Sequence, residues 1–349
     1  MKKILFFTPS LNAGGIERVF LTYAEELHKR GYQVSYLIAR NEIYMIDEKL
    51  DLISLHKKRL INSIPSLIKF LKQNKVDVII TGGEIPNAII ILITKIFHIK
   101  AKVIISHHNY FIGEHNSKLA KLVTKYIYNM SDAVVSVSFG ITELLQNHKV
   151  NAQLIKTIHN PVNIEEINTK GDVNTNVSLP NDYLIFVGRL APIKNLELLI
   201  NAFSILNQSN PSLKLLIVGD GSMKSELQEN VSLLQLQNNV HFLGTISAPY
   251  PLIKSSKAVI LSSYSEALPT IILESLVLGK TIVSTPTKGA MEILECGKYG
   301  YISQSFDDAV EFAALIAKAI SYPINSVSLQ ERARDFSIES KIEELEKLF

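Results

Sequence analysis

Apolar runs of strand length alternate with amphipathic helical patterns along almost the whole chain, and this alternation narrows the possible folds more than any other feature. Residues 4–8, 33–39, 76–81, 103–106 and 133–137 read as strands, and 16–30 as a helix closed by Gly31. A second series starts near residue 178, with strands at 183–187, 213–218, 240–243, 258–261 and 281–284 and helices opening near Asn195, Ser222 and Pro269. Continuously apolar strands are buried on both faces, and their alternation with helices makes a parallel sheet. Between the two series, residues 163–182 are polar, rich in Asn and Thr, and without apolar periodicity, which reads as a linker or a domain edge. The expected fold class is therefore α/β: two doubly wound Rossmann-like domains facing across a cleft, spanning residues 1–163 and 164–330. The remaining residues, 331–349, read as a C-terminal helix that periodicity leaves free to cross back to the first domain.

A length of 349 residues suits two domains of this kind. With 47% apolar and 20% charged residues the composition is that of a globular protein with ample core. The single cysteine, Cys296, has no partner for an internal disulfide, which fits a reducing compartment. Met1-Lys2-Lys3 and the apolar residues after it open like a signal peptide, but Thr8-Pro9-Ser10 ends the run too soon, so the segment reads as a buried strand. The other long apolar stretch, 88–99, is interrupted by Lys95 and falls far short of the roughly 20 residues a membrane span needs. No membrane crossing is expected.

Four segments carry chemistry. Glu266-Ala267-Leu268-Pro269-Thr270-Ile271 follows the strand at 258–261 and opens a helix with Pro269 read at its first position. The amides of Thr270 and Ile271 then favour an anion such as phosphate. Glu266 is placed to accept sugar hydroxyls. Glu274, set among apolar neighbours, needs a hydrogen-bonding partner, for which a ribose diol is suitable. The plainer alternative is that Glu266 complements the helix dipole and Glu274 faces solvent. In the second segment, Gly188-Arg189-Leu190-Ala191-Pro192-Ile193-Lys194-Asn195, two cations follow a strand where parallel sheets bind ligands, and Asn195 reads as a helix cap. Fixed positive charge of this kind stabilises a departing diphosphate; an ordinary solvated loop is the alternative. Gly14-Gly15, between the first strand and helix, lets backbone approach a ligand or merely turns the chain. His107-His108 ends the strand at 103–106 and suits sugar-hydroxyl binding, proton acceptance or a structural role. No metal site is expected, because no His, Cys, Asp or Glu set has ligand spacing. Gly219-Asp220-Gly221 and Gly244-Thr245 are further strand-end turns that shape a pocket or simply reverse the chain.

Taken in order, these segments resemble the retaining glycosyltransferases of family 4, which have the GT-B fold. The resemblance runs over nearly the whole chain and is strongest over residues 183–293, where Val-Gly-Arg-Leu-x-x-x-Lys-Asn, the Gly-Asp-Gly turn, His-Phe-Leu-Gly and Glu-x7-Glu occur in the family's sequence. It implies that the first domain faces the acceptor and the second binds a nucleotide-sugar, with Arg189 and Lys194 on the donor diphosphate. It further implies Glu266 on the donor sugar, Glu274 on the ribose, and Thr245 and Ile246 beside the base. Leu268, Pro269, Thr270 and Ile271 complete the donor-binding run, Gly14 and Gly15 match the family's first-domain loop, and His108 best fits its active-site histidine, with His107 the alternative. The family commonly has glycine after the first glutamate; Ala267 stands there instead, which bears on the shape of the donor-sugar pocket.

The implied activity is transfer of a hexose or N-acetylhexosamine, with retention, from a UDP-linked donor to a glycan or polyprenyl-linked acceptor in surface polysaccharide biosynthesis. The implied reaction uses no cofactor and no metal, with His108, Glu266, Arg189 and Lys194 at the reacting centre. Rival readings are a nucleotide-sugar epimerase or phosphorylase on the same fold, or a non-catalytic sugar-nucleotide-binding subunit. Charge adds a partner. Residues 1–150 carry a net +8 and residues 151–349 a net −5. Lys57, Lys58, Arg59, Lys69 and Lys72, with Lys118, Lys121 and Lys125 at helical spacing, are candidates for facing an anionic membrane; solvated helix faces are the alternative. The expected location is cytoplasmic, peripheral on the inner face of the membrane. Nucleic-acid binding is not expected, since there is no basic-aromatic platform.

Overall fold

In the computed structural model every pair of strands among the described residues is parallel. The structure describes all residues except 12–13, 41–49, 111–117 and 174–179, and the side chains of 118–121 and 123 are also outside the description. It divides into two compact units: Met1–Pro161 with Ile338–Phe349, and Val162–Ser337.

The first unit contains β1 (Lys3–Thr8), α1 (Gly15–Lys29), β2 (Gln33–Ile38), β3 (Asp51–Ser54), α2 (Ile64–Gln73), β4 (Val78–Gly82) and α3 (Glu84–Ile96). It continues through β5 (Lys102–His107), α4 (Lys118–Tyr128), β6 (Ala133–Ser136), α5 (Phe139–Asn147) and β7 (Ile155–Thr157). The strand order is β3-β2-β1-β4-β5-β6-β7. The order therefore reverses between β1 and β4, and the crevice at such a switch, beyond the carboxyl ends of the strands, is where open α/β sheets take ligands. Ile4, Phe6, Tyr36, Ile80 and Ile104 form the core with Phe20, Ala24 and Leu27 of α1.

The second unit contains α6 (Ile164–Gly171), β8 (Tyr183–Val187), α7 (Leu196–Ser209), β9 (Lys214–Val218), α8 (Lys224–Leu233), β10 (Val240–Gly244) and α9 (Tyr250–Ser255). After these come β11 (Ala258–Leu261), α10 (Thr270–Val277), β12 (Ile282–Ser284), α11 (Lys288–Ile293), β13 (Tyr301–Ile302), α12 (Ala309–Ser321) and α13 (Ser326–Arg334). Its order, β10-β9-β8-β11-β12-β13, puts the switch between β8 and β11. Leu184, Phe186, Leu215, Ile217 and Ile260 pack there against Leu199 and Phe203 of α7 and Phe312 and Ile316 of α12.

The last helix, α14 (Ile338–Glu346), belongs to the first unit. Ile338, Ile342 and Leu345 enter that unit's core, Arg30 meets Glu346 at 2.9 Å, and Phe349 packs edge-on against Tyr32. Each buried aliphatic side chain contributes about 1.5–3 kcal/mol, whereas a surface ion pair contributes about 1 kcal/mol at most. Apolar burial therefore decides where this helix docks.

Four readings of the sequence are corrected. Residues 163–182 are not a plain linker: Ile164 to Gly171 form a helix capped by the Asn163 side chain, which accepts from the Glu166 amide. Pro269 is the residue before α10, not its first. Asn195 occupies the N-cap position of α7 in a left-handed conformation (φ 47°), but its side-chain amide donates to Phe306 O at 2.8 Å instead of capping. The helix read from Ser222 starts at Lys224.

Candidate active site

In the second unit, the turns that leave β8, β9, β10 and β11 converge at the carboxyl end of the sheet. Leu190 N donates to Asp220 O at 2.9 Å and Gly219 N to Gly244 O at 2.7 Å, so the three turns after β8, β9 and β10 are laced together through backbone. Only glycine permits this. A side-chain carbon at Gly221 would lie 2.2 Å from Leu190 O, and one at Gly219, where φ is +136°, 1.9 Å from Gly188 O. The lacing brings Arg189, Asp220 and Thr245 to one end of the sheet, and Arg189 and Thr245 are both exposed there.

Across the switch point, the loop after β8 is tied to the turn after β11. Ser262 Oγ donates to Lys194 O at 2.8 Å, and Tyr264 N donates to Ile193 O at 2.9 Å. The consequence is a contact between residues 72 apart: Lys194 Nζ donates to Glu266 Oε1 at 2.5 Å. The same oxygen accepts from Ser263 Oγ at 2.6 Å, and the Ser263 backbone is held in turn by Thr285 Oγ1. Two donors on Oε1 fix the carboxylate's rotamer, while Oε2 retains its own acceptor capacity. Lys194 and Glu266 are largely buried, with side chains 20% and 13% exposed, so their charges interact in a medium well below the dielectric of water.

Ser263 and Thr285 were not singled out in the sequence. The only signal was a hydroxyl three residues before a glutamate in a Ser-Ser-Tyr-Ser turn, too common a pattern to separate from ordinary turn chemistry. Ala267, where the family commonly has glycine, is not left-handed, so its methyl group costs nothing in backbone strain. Gly289 N donates to Glu266 O, which brings the start of α11 against the same turn. Leu268 and Pro269 are buried behind it, and Thr270 and Ile271 form the first turn of α10, where amides have no earlier partner within the helix. Glu274 sits one turn further in and is only 3% exposed; a solvent-facing carboxylate is ruled out at this position. Ile246 follows Thr245 and is half-buried.

Gly14, Gly15 and the two histidines belong to the first unit, at its own switch point. Asn12 and Ala13 of the glycine segment lie outside the described residues. Neither Gly14 nor Gly15 has positive φ, so these glycines are not needed for a tight turn. A side-chain carbon at Gly14 would lie 2.3 Å from the Glu17 carboxylate, the far end of a flexible side chain that can swing aside, so space does not demand glycine there either. Burial raises the Glu17 carboxyl above its usual range, opposed by its own backbone N–H and by Arg40.

His107 and His108 leave β5 in different surroundings. His107 is buried, with Nδ1 3.1 Å from Tyr128 OH, and Asn87 Nδ2 donates to the same hydroxyl. Burial pushes its imidazole down to about 4, opposed by a hydrogen bond with the Asn109 backbone and aided by a smaller electrostatic contribution from His148. His108 is half-buried, lies edge-on to Phe20 of α1 and has Nε2 2.7 Å from Ser106 Oγ. Desolvation, with a smaller contribution from His107, pushes it down to about 3. Both are neutral at physiological pH. His108 shares the α1 side with the Gly14–Gly15 segment, while His107 is taken up by the Tyr128 network.

Among the described residues, no group of three or more His, Cys, Asp and Glu side chains could hold a metal ion. No single helix among them is long and apolar enough to cross a membrane. Lys58, Arg59, Lys69 and Lys72 are exposed, and Lys57 and Lys125 are half-buried. The side chains of Lys118 and Lys121 lie outside the described residues.

Comparison with known proteins places the chain in a family and fold. Residues 13–166 match the family described as Glycosyltransferase Family 4, and residues 172–336 match Glycosyl transferases group 1. The chain is 25% identical to a Campylobacter jejuni enzyme, N-acetylgalactosamine-N,N'-diacetylbacillosaminyl-diphospho-undecaprenol 4-alpha-N-acetylgalactosaminyltransferase, over 90% of this chain and 89% of that one. It is 27% identical to a second C. jejuni alpha-1,4-N-acetyl-D-galactosaminyltransferase, over 100% and 98% of the two chains. Anabaena HepE, solved in complex with UDP, shares the fold with a TM-score of 0.82 at 18% identity, over 99% of each chain. The two units match the two domain families in order along nearly the full length, and the chain belongs with the glycosyltransferases of these families and has the GT-B fold.

Proposed function

We propose that the protein transfers a hexose or N-acetylhexosamine from a UDP-sugar to a glycan or polyprenyl-linked acceptor, with retention of anomeric configuration and without a metal ion. The observation that carries this reading is the Lys194–Glu266 contact at the β8/β11 switch point. It sets a cation for diphosphate beside a carboxylate for sugar hydroxyls, where a doubly wound sheet takes its ligand. The UDP bound by HepE and the diphospho-undecaprenol acceptor in the C. jejuni enzyme's name support the donor and acceptor classes.

In this reading Arg189, Lys194 and the first amides of α10 stabilise the negative charge that builds on the departing UDP. Glu266, held by Lys194 and Ser263, orients the donor sugar through Oε2. Glu274 takes the ribose hydroxyls, and Thr245 and Ile246 flank the base. The acceptor hydroxyl attacks from the face the UDP leaves, and its proton passes to the departing phosphate. His108, neutral, accepts or donates a hydrogen bond to a sugar hydroxyl and needs no change of protonation. The fixed cations take the role a metal has elsewhere, so turnover is expected to survive chelation. The exposed basic residues of the first unit support an anionic membrane as partner and a peripheral position on its cytoplasmic face.

The test is proton NMR of the purified protein with UDP- and GDP-hexoses and N-acetylhexosamines, with and without EDTA and a polyprenyl-diphosphate-linked sugar acceptor. An α-linked donor is expected to give an α-linked product at the same rate with EDTA. A β-linked product, a rate lost to EDTA and restored by Mg²⁺, or donor epimerisation without acceptor would each overturn its part of the proposal.

A further inference from the structure

Helices that cover a parallel sheet ordinarily turn one apolar side inward and a charged side to solvent. α3 does not. Its inner side is buried through Pro86, Ile90, Ile91 and Ile93. Its outer stripe is Ile85, Ala88, Ile89, Leu92 and Ile96, at spacings of three, four, seven and eleven residues from the first, which is one continuous helix face. Ile85 and Ile96 are 67% and 64% exposed, Leu92 is exposed, and Ala88 and Ile89 are half-buried. α4 packs beside α3 and adds Leu122 and Tyr126, one turn apart and both exposed. The outer side of the apolar stretch 88–99, with Ile85 before it, is thus an apolar surface with no protein over it among the described residues. A continuous patch of this kind marks an interaction site.

Among the described residues, cations gather at one end of it. At the C-terminal end of α3, Lys95 and Lys100 are exposed, and the exposed Lys72 of α2 places Nζ 4.5 Å over the Phe97 ring. Glu84, at the N-terminus, is the only acidic residue on α3. We propose that the α3–α4 face is a membrane-insertion surface. The apolar stripe lies in the headgroup–acyl boundary of an anionic bilayer, and Lys72, Lys95 and Lys100 sit against lipid phosphates. A bilayer presents an apolar layer directly beneath a layer of anions, which complements an apolar stripe with a cationic rim. The 13 residues of α3 extend about 20 Å, against about 30 Å for the hydrocarbon core, so the helix lies in the interface plane. The inference deepens the lipid-linked-acceptor reading by naming the surface through which the protein reaches that acceptor, and it differs from purely electrostatic docking because inserted residues resist salt.

The chain contains no tryptophan, so one introduced indole reports alone. Full-length Ile96→Trp is mixed with vesicles of phosphatidylglycerol and phosphatidylcholine, with pure phosphatidylcholine vesicles as control. The expected result is a blue shift and quenching by acyl-brominated lipid, strongest with phosphatidylglycerol and surviving added salt once formed. Leu233→Trp, at a 76% exposed position in the second unit, is expected to stay unshifted. Leu92→Asp combined with Ile96→Asp is expected to lower vesicle flotation at least tenfold while UDP-sugar hydrolysis is unchanged. An Ile96→Trp emission unmoved by anionic vesicles overturns the inference. So does a blue shift that grows with protein concentration without lipid, which identifies a second copy as the occupant. Insertion without sugar transfer would overturn the proposed function alone, and transfer to a soluble acceptor without insertion would overturn this inference alone.

Discussion

Glu266 is held by two donors on a single oxygen, and a double-mutant cycle reads out what that arrangement does. Ser263→Ala removes the 2.6 Å hydroxyl contact, and Lys194→Ala removes the 2.5 Å ammonium contact. A hydrogen bond to a charged group contributes about 1.5–3 kcal/mol, and each 1.4 kcal/mol is a factor of ten in rate. Ser263→Ala is therefore expected to lower kcat/KM by roughly 10–150-fold. Lys194→Ala should cost at least as much, because it also removes the cation assigned to diphosphate. Either loss frees the carboxylate to leave its rotamer, so the second loss adds little. The double variant should fall short of the product of the single effects by a coupling energy on the order of 0.5–3 kcal/mol. The assay is initial-rate donor hydrolysis, with thermal unfolding to show that the Thr285–Ser263 backbone contact still holds the turn. A Ser263→Ala variant within threefold of the parent, or strictly multiplicative losses, would refute the two-donor clamp.

Two further outcomes follow from other parts of the structure. His107 is buried neutral and pushed down to about 4 from 6.5, so between pH 6.5 and 4 the unfolded chain binds the more protons; stability is lost as pH falls through that window, by on the order of 3 kcal/mol. Chemical denaturation of wild type and His107→Gln across pH 4–7 should show a shallower slope for the variant, and equal slopes would contradict the assignment. Gly221→Ala puts a methyl carbon 2.2 Å from a backbone oxygen with no flexible atom to yield, so it should lower stability by at least about 1–3 kcal/mol and donor affinity with it; unchanged melting and UDP affinity would count against the laced turns.

The sequence made some of this legible and physics explains what it hid. β1, β8 and β11 are continuous apolar runs because both of their faces are covered, and their bounds could be read to within a residue. β3, β7 and β13 are two to four residues long, β3 is half polar and β7 two-thirds polar, and such short segments carry no period to read. α6 hid inside a polar stretch because only Ile167 and Gly171 are buried along its length. Arg189, Lys194, Glu266 and Glu274 were singled out from strand-end position and residue type. That Lys194 touches Glu266 was not readable, since it depends on β8 and β11 becoming neighbours after β9 and β10 are placed on the other side. At Gly14 the turn that the sequence suggests is not the reason for glycine, since φ there is not positive.

The central claim is that the β8/β11 switch point of the second unit is a UDP-sugar site, and calorimetric titration of UDP tests it most directly. Wild type, Glu274→Gln and Lys194→Ala are titrated after circular dichroism has shown all three folded. The account expects saturable binding to wild type and losses of about 10–150-fold in each variant, the equivalent of one charge-assisted hydrogen bond. Wild-type affinity for UDP in both folded variants would contradict it.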